Sequence, residues 1–264
     1  ISISGTSISN QVMTKISGSS GSGSHTLLGA DIDGEAAGDF SGHSVSLSSD
    51  GSRVAIGGPY NDGKGSDSGH IRIYDYNGSA WVQVGADIDG ESGGDYSGWR
   101  DSVSLSSDGS RVAIGAIYNN GNGSDSGHVR IFDYNGSAWV QVGADINGEA
   151  ASDMSGISVS LSSDGSRVAI GSEKNEENGS DSGHVRIYDY TPSGTNSWTQ
   201  VGLDIDSETQ GDVSGHVALS SDGSRVAVGG PNNDGGGNNS GHVRIYQYNN
   251  NSWSQLGEDI NGEA

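Results

Sequence analysis

Several residue types are scarce or missing from this chain of 264 residues, which contains no cysteine, three prolines, two methionines and two phenylalanines. Without cysteine it can form neither a disulfide nor a zinc–thiolate site, and it has no thiol nucleophile. No long apolar run is present, so the sequence predicts no membrane insertion. Because only 31% of the residues are hydrophobic, one deep aliphatic core is excluded and thin stacked sheets are favoured.

Positive charge is also scarce, since 12 lysines and arginines stand against 34 acidic residues, for a formal net charge of -22. This balance predicts no nucleic-acid partner and makes cations the more natural small ligands. Eight of the basic residues fall at two repeated positions, where they predict guanidinium–carboxylate pairs between blades, with Asp75, Asp133 and Asp189 as possible partners. These residues are Arg53, Arg111, Arg167 and Arg225, and Arg72, Arg130, Arg186 and Arg244.

What the sequence has in abundance is an internal repeat. The string SDGSRVAIG, or SDGSRVAVG in the last copy, begins at Ser49, Ser107, Ser163 and Ser221, in steps of 58, 56 and 58 residues. A second string, GH followed by an aliphatic residue and RI, recurs with the same steps. Such constancy indicates one structural unit copied four times.

Each copy has the pattern of four short antiparallel strands, which in the first copy are SVSLS, RVAIGG, HIRIYDY and AWVQVG. The pairs Asp50-Gly51 and Asn77-Gly78 are typical of tight hairpin turns between such strands. An immunoglobulin-like sandwich needs nearly twice this period, and a parallel β-helix has no use for two-residue hairpins. The sequence therefore predicts an all-β fold, a β-propeller of four-stranded antiparallel blades.

The predicted propeller has five blades, namely four full repeats and a divergent N-terminal blade, with four blades as the alternative. Residues 30–264 form the repeats, with blades at about 43–85, 101–143, 157–202 and 215–257. Residues 1–29 have strand character around a Ser/Gly stretch, and are either a degenerate blade or an arm that contacts another subunit. The closing GEDINGEA repeats the start of a linker, so either the chain continues into another repeat or the ring closes there.

The segment from Ser41 to Tyr76 resembles the FG-GAP repeat of integrin α-chain-like β-propellers, and the likeness recurs in all four copies. The matching residues are Gly42, Ser44 and Val45; Gly57, Gly58 and Pro59; and Gly69, Ile71, Ile73, Tyr74 and Tyr76. The family's phenylalanine is replaced by Ser41, Ser97, Ser155 and Ser214, and its calcium loop is reduced to SSDGSR. The resemblance implies an extracellular or cell-surface protein in adhesion or ligand display, and no calcium site at SSDGSR.

The candidate for cation binding is instead the acidic linker between repeats, which reads DIDGEAAGDF in its first copy. Alternating carboxylates around a glycine resemble the oxygen-rich sets that calcium prefers, so we predict calcium here; the alternative is a solvated turn whose aspartates cap backbone N–H groups. The candidate ligands are Asp31, Asp33, Glu35 and Asp39; Asp87, Asp89, Glu91 and Asp95; Asp145, Glu149 and Asp153, with Asn147; and Asp204, Asp206, Glu208 and Asp212.

Two further residue types recur at equivalent positions. His70, His128, His184 and His242 are predicted to be hydrogen-bonded strand residues, because copies on different blades could share one metal only at the central axis. Trp81, Trp139, Trp198 and Trp253 are predicted to pack on the outer strands, with sugar stacking as the alternative.

The repetition of the polar residues also bears on function. Catalysis needs a singular, asymmetric cluster of groups, so the near-identical copies predict a protein that is not an enzyme. The leading hypothesis is an extracellular structural or adhesive repeat protein, as part of a larger array or filament. Its partners would be further copies of itself, a cell-surface or extracellular protein, or a glycan. The alternative is a calcium-dependent, lectin-like propeller.

Overall fold

The computed structural model describes residues 26–192 and 196–263. In this part of the chain every regular element is a β-strand, and no helix is long and apolar enough to cross a membrane. The two interpretations of the N-terminal segment, a degenerate blade or an arm, concern mainly residues 1–25, which lie outside the described residues.

The strands form four five-stranded sheets, one for each repeat. Blade 1 contains β1 (Ser44–Leu47), β2 (Arg53–Gly58), β3 (His70–Tyr76), β4 (Trp81–Gln83) and β5 (Ile88–Asp89). Blade 2 contains β6 (Val103–Leu105), β7 (Arg111–Ala116), β8 (His128–Tyr134), β9 (Trp139–Gln141) and β10 (Ile146–Asn147). Blade 3 contains β11 (Ser158–Leu161), β12 (Arg167–Ser172), β13 (His184–Thr191), β14 (Ser197–Gln200) and β15 (Ile205–Asp206). Blade 4 contains β16 (His216–Leu219), β17 (Arg225–Gly230), β18 (His242–Asn249), β19 (Ser252–Gln255) and β20 (Ile260–Asn261).

The first four strands of each blade lie in sequence order and run antiparallel. The fifth strand has only two residues and pairs with the beginning of the third, where Ile88 lies opposite Ile71 and Asp89 opposite His70. Sequence analysis predicts the four longer strands, but it predicts only a loop where this fifth strand forms. The short strand fixes the acidic linker against the blade that precedes it.

The hairpin between the first two strands is stabilised by its aspartate. In blade 1 the Oδ1 atom of Asp50 accepts hydrogen bonds from the backbone N–H of Ser52 and from the hydroxyl groups of Ser48 and Ser52. Gly51 then takes a left-handed backbone conformation, with φ of 70°, which costs glycine little. These contacts explain why the string SSDGS recurs in every blade.

The blades stack face to face through apolar side chains. The small side chain of Ala55 faces blade 2, where it meets the bulky Val112 and Ile114 in one buried cluster. Equivalent clusters join blade 2 to blade 3 and blade 3 to blade 4. The innermost strands of successive blades also touch, β1 with β6, β6 with β11 and β11 with β16. Each sheet thus has four main antiparallel strands and one short additional strand, and the stacking of these sheets confirms the predicted β-propeller, of which four blades lie in the described residues.

A glycine near the end of the second strand permits the closest approach of the blades. A Cβ atom added at Gly57 would lie 2.6 Å from the carbonyl oxygen of Gly98 in the linker to blade 2. Gly115 and Gly171 face the carbonyl groups of Gly156 and Gly215 more closely still. Any side chain at these positions would have to push two blades apart.

An arginine at the start of the second strand joins blades 1, 2 and 3 each to the following blade. Arg111 binds both carboxylate oxygens of Asp133 on the neighbouring strand, at 2.6 and 2.8 Å. Its Nη1 atom donates a hydrogen bond to the carbonyl oxygen of Gly165 in blade 3, and its guanidinium lies 4.4 Å from the ring centre of Tyr190. The arginine–carboxylate pairs therefore form within a blade, so the prediction that they join neighbouring blades is wrong. The contacts between blades are made by the carbonyl group and the ring instead.

The outer strands are joined by a tryptophan. The indole N–H of Trp139 donates to the carbonyl oxygen of Val84 at the exit of blade 1, and Trp198 and Trp253 repeat this contact with blades 2 and 3. Trp81 makes the same hydrogen bond to Leu28. Residues 28–30 thus occupy the same position beside blade 1 that the segment after the fourth strand of the preceding blade occupies beside blades 2 to 4.

Candidate functional site

Four equivalent groups of titratable side chains lie on the face where the third strands begin. Each combines a histidine, the first residue of a third strand, with a glutamate from the linker that enters the blade and an aspartate from the linker that leaves it. We call these groups acid–histidine clusters. They are Glu35–His70–Asp87, Glu91–His128–Asp145, Glu149–His184–Asp204 and Glu208–His242–Asp259.

Strand register brings these residues together. The short fifth strand pairs Asp89 with His70, and thereby holds the outgoing linker, including Asp87, beside the imidazole. Gln83 orients the aspartate, because its side-chain amide donates to Oδ1 of Asp87 at 2.5 Å and leaves Oδ2 facing the histidine. Gln141, Gln200 and Gln255 make the same contact to Asp145, Asp204 and Asp259.

The atoms of each cluster are close without being hydrogen-bonded. Nδ1 of His70 lies 3.6 Å from Oδ2 of Asp87 and 3.7 Å from Oε2 of Glu35. The corresponding distances in the other three clusters run from 3.5 Å in blade 3 to 3.9 Å in blade 2. Such separations are too long for a hydrogen bond. The histidine side chains are 0–1% exposed, and neither nitrogen of any of the four rings has a hydrogen-bond partner in the described structure.

An arginine two residues after each histidine adds positive charge beside the cluster. Arg130 donates to the main-chain carbonyl oxygen of Asp89 at 2.6 Å, and its Nη1 atom lies 3.8 Å from Oε1 of Glu91. Arg72, Arg186 and Arg244 donate likewise to the carbonyl groups of Asp33, Asn147 and Asp206. The guanidinium therefore fixes the linker and orients the glutamate, whose second oxygen faces the histidine.

Burial decides the protonation state of two of the four imidazoles, those of His128 and His184. Burial first, and the neighbouring Arg130 second, lower the pKa of His128 to about 4, and burial with Arg186 does the same for His184. Burial also raises the pKa of Glu91 and of Glu149. At neutral pH these histidines are uncharged, so one ring nitrogen carries a lone pair that can bind a metal ion.

The predicted calcium ligands of one linker do not converge on one point. Of the second copy, Asp87 belongs to the cluster of blade 1 and Glu91 to that of blade 2, whereas Asp89 lies on β5 between them. Asp95 is buried and accepts hydrogen bonds from the backbone N–H of Ser92 and from the side chain of Asn119.

The other copies divide in the same way. Asp39, Asp153 and Asp212 are buried and accept hydrogen bonds from nearby backbone N–H groups, as the capping interpretation expects. Other carboxylates join the clusters. Glu35 belongs to that of blade 1, Asp145 to that of blade 2, Glu149 and Asp204 to that of blade 3, and Glu208 and Asp259 to that of blade 4. Asp31 and Asp33 belong to no such group within the described ranges, and neither does Asp206.

Sequence reasoning missed three kinds of residue in these clusters. It predicted hydrogen-bonded histidines on the strands, and the hydrogen bonding is wrong, because both ring nitrogens of all four histidines are buried without such a partner in the described structure. It also did not include Asp259 or Glu177, which joins the cluster of blade 3. The sequence did contain a signal for these clusters, since every repeat places its histidine between two acidic linkers, one before it and one after it.

A second feature of the same face occurs once among the four described blades. Tyr60 and Tyr118 follow the second strands of blades 1 and 2, while Phe40, Tyr96 and Trp99 lie in the linkers that enter these blades. We call these five residues the aromatic patch. Ring centres of neighbouring members lie 4.8–5.6 Å apart, and four of the residues, all but Phe40, line an open depression of about 400 Å³ together with Asp125.

The patch is absent from blades 3 and 4 because the equivalent side chains differ. Tyr60 and Tyr118 are replaced by Lys174 and Asn232, and Phe40 and Tyr96 by Met154 and Val213. Trp99 lies in a segment, 99–101, that takes the place of the single His43 of blade 1 and Ile157 of blade 3. That interruption of the repeat was the sequence signal for this site.

The backbone at this repeat position is strained in every blade. Phe40 and Tyr96 have φ of 53° and 52°, and Met154 and Val213 have 53° and 57°. A left-handed conformation of this kind costs a residue other than glycine about 1–2 kcal/mol. Glycine would avoid that cost, whereas Phe40 and Tyr96 make ring contacts here that glycine could not make.

Comparisons with known proteins support the fold. No protein-family profile matches the sequence, and no curated protein matches it. Among solved structures, a candidate 6-phosphogluconolactonase from Bacteroides uniformis is similar to 84% of this chain with a TM-score of 0.56 and 14% identity. The chain spans 55% of the length of that protein.

Two further structures match with lower scores. Hydrazine synthase from Kuenenia stuttgartiensis matches 88% of this chain and 69% of its own, with 15% identity and a TM-score of 0.45. The β-propeller domain of the Trilobed protease from Pyrococcus furiosus matches 80% and 55%, with 12% identity and a TM-score of 0.45.

The prediction that the chain is not an enzyme is wrong, because its fold is shared with a candidate lactonase. The physical premise behind it also fails, since the polar and aromatic residues are not identical in all copies. Among the described residues the aromatic patch belongs to blades 1 and 2 alone, and the ion pair between His216 and Asp101 is not repeated, because serine takes the position of His216 in the other blades and Asp101 lies in the segment that interrupts the repeat.

Proposed function

We propose that this chain is an adhesive repeat protein of the cell surface or extracellular space that binds a neutral glycan at the aromatic patch. The resemblance of its repeats to FG-GAP propellers supports this location and an adhesive role, as well as partners that include extracellular proteins and further copies of the chain. The observation that carries the glycan proposal is the patch itself, a group of five contacting aromatic side chains in an otherwise regular repeat, of which Phe40 is exposed and the other four are half-buried around an open depression.

The chemistry of the patch suits a sugar. Aromatic faces pack against the C–H groups of a pyranose ring, while neighbouring polar atoms bind its hydroxyl groups. Asp125 lines the depression, and Oδ2 of Asp67 lies 3.4 Å from the hydroxyl oxygen of Tyr96. Both carboxylates are therefore close enough to the patch to accept hydrogen bonds from sugar hydroxyl groups. The net charge of -22 disfavours acidic sugars and favours neutral or amino sugars.

The experiment is a screen of the purified chain against neutral and acidic glycans, followed by titration of the best binder with Trp99 fluorescence as the signal. Replacing Tyr96 by alanine should weaken binding about tenfold, because an aromatic contact contributes about 0.5–1.5 kcal/mol beyond the area that it buries. Trp99→Phe should abolish most of the fluorescence change while retaining binding.

Met154→Ala is the matched control, since Met154 occupies the position of Tyr96 in blade 3 with nearly the same φ. It should leave glycan affinity unchanged. Equal losses in both variants would show that backbone strain rather than the ring governs binding, and a screen without any neutral-glycan binder would refute the proposal.

The calcium-dependent form of this function predicts a specific result in the same assay. If the linker carboxylates order the binding face through calcium, a chelator should abolish glycan binding and added calcium should restore it. Binding that is unaffected by chelator assigns recognition to the aromatic patch alone.

A further inference from the structure

The four buried histidines have no protein partner that explains their position. Each ring is 0–1% exposed, both of its nitrogens lack a hydrogen-bond partner, and Nδ1 faces two carboxylates. Burying a polar group without a hydrogen-bond partner is unfavourable. The same arrangement occurs in all four blades, so it is a property of the repeat rather than an accident of one loop.

The spacing within the clusters corresponds to a bound cation. Two ligands that each lie about 2.0–2.1 Å from a tetrahedral metal ion are about 3.4 Å apart. The imidazole nitrogens lie 3.5–3.9 Å from the carboxylate oxygens, so shifts of a few tenths of an ångström would bring them into coordination. Other side chains hold these oxygens in place: Gln83 donates to Asp87, and in blades 2 to 4 an arginine lies beside the glutamate.

We propose that each acid–histidine cluster binds one divalent transition-metal ion of the Zn²⁺ class. Its ligands would be the imidazole of the histidine and one carboxylate oxygen each from the glutamate and the aspartate. Zn²⁺ takes nitrogen and carboxylate oxygen together, and three protein ligands leave a fourth position for water or a ligand. Calcium binds oxygen ligands in sets of six to eight, so the imidazole distinguishes this site from the calcium loop predicted from sequence.

The ion would act on the blades through the linkers. In each cluster the glutamate belongs to the incoming linker and the aspartate to the outgoing one, with the histidine on the strand between them. A metal ion thus closes a bridge between two chain segments that are otherwise exposed. In blade 3 Glu177 supplies a fourth group, which predicts the tightest of the four sites.

The test is equilibrium dialysis of the metal-stripped chain against Zn²⁺, with metal counted by mass spectrometry. The wild type should bind about four ions, one for each cluster. The double variant Glu91→Gln, Asp145→Asn removes two ligands from the blade 2 cluster without changing side-chain size, and it should bind about three. Bound Zn²⁺ should also raise the Tm of the wild type, because it binds only the folded chain.

The matched control is the double variant Asp31→Asn, Glu263→Gln. These residues occupy the same linker positions as Asp145 and Glu91, but neither belongs to a cluster within the part of the chain that the structure describes. The control removes the same charge and should still bind about four ions. A wild type that binds none, or a blade 2 variant that still binds four, would overturn the proposal.

Two readouts separate imidazole ligation from general attraction to an acidic protein. Co²⁺ in place of Zn²⁺ should give visible absorption bands of a low-coordinate nitrogen–oxygen site, with about one quarter of the intensity lost in the blade 2 variant. Millimolar Ca²⁺ should fail to displace Zn²⁺. Displacement by Ca²⁺, together with featureless Co²⁺ spectra, would mean that the histidines are not ligands.

Discussion

The arginine at the start of the second strand provides a direct test of how the blades are held together. Arg111 contacts blade 3 through the carbonyl group of Gly165 and the ring of Tyr190, whereas the equivalent Arg225 in blade 4 donates only to Gln247 on its own blade in the described structure. Arg111→Gln should therefore destabilise the protein far more than Arg225→Gln, although both remove one positive charge at the same repeat position.

The expected difference follows from the individual contacts. The hydrogen bond to Gly165 contributes about 1 kcal/mol and the cation–π contact about 0.5–1 kcal/mol. The ion pair with Asp133, whose side chain is 41% exposed, adds about 1 kcal/mol after solvent screening. Arg111→Gln should thus cost about 3 kcal/mol, and Arg225→Gln about 0.5 kcal/mol as an exposed substitution.

The assay is equilibrium unfolding in urea, followed by tryptophan fluorescence and circular dichroism on the same samples. With an m value of about 3 kcal/mol per molar urea, the midpoint of Arg111→Gln should fall by about 1 M, and that of Arg225→Gln by less than about 0.3 M. Equal shifts for the two variants would refute the idea that this arginine stabilises the contact between blades.

Two further perturbations test the packing and the turns. Gly115→Ala should strongly destabilise or unfold the protein, because the new Cβ atom would clash with the carbonyl group of Gly156. Gly229 occupies the same position in blade 4, where the nearest atom would lie 3.4 Å from an added Cβ, so Gly229→Ala should cost less than about 1 kcal/mol. Similar losses of Tm in the two variants would contradict this explanation. Hydrogen bonds from the Ser220 hydroxyl and from Ser224 lower the pKa of Asp222 to about 2, so its stabilising effect is present above the unfolded value near 4 and is lost as pH falls towards 2. Asp222→Asn should therefore lose less stability than the wild type between pH 4 and pH 2, and parallel pH profiles in thermal unfolding would refute that assignment.

Much of the fold can be predicted from the sequence because its signals are local. A hairpin turn such as Ser48–Ser52 needs only neighbouring residues, and the alternation of Val54, Ala55 and Ile56 identifies the two faces of a strand before any partner is known. The two-residue fifth strand could not be predicted in this way. Ile88 and Asp89 form it only because the third strand of the same blade offers unpaired backbone groups beside them.

The aromatic patch was harder to predict for a different reason. Averaging over copies emphasises what the repeats share, whereas Tyr60, Tyr96 and Trp99 matter because blades 3 and 4 lack them. The same averaging led to the wrong prediction about enzymatic activity. In a repeat protein, positions that depart from the common pattern therefore need separate attention.

The acid–histidine clusters show why spacing along the chain is a poor guide to contact in this fold. The glutamate precedes its histidine by 35 residues in blade 1, 37 in blade 2, 35 in blade 3 and 34 in blade 4, and the aspartate follows it by 17 or 20 residues. The one constant is the interval of four residues between the aspartate and the glutamate of one linker, as in Asp87 and Glu91, although these two serve different clusters. That interval is constant because one linker serves two blades: its aspartate must face the histidine of the blade that it leaves, and its glutamate must face the histidine of the blade that it enters. Lengths vary where no cluster depends on them, in the segment around Trp99 and in the hairpin after Thr191, so the geometry that the clusters require limits where the repeat can change.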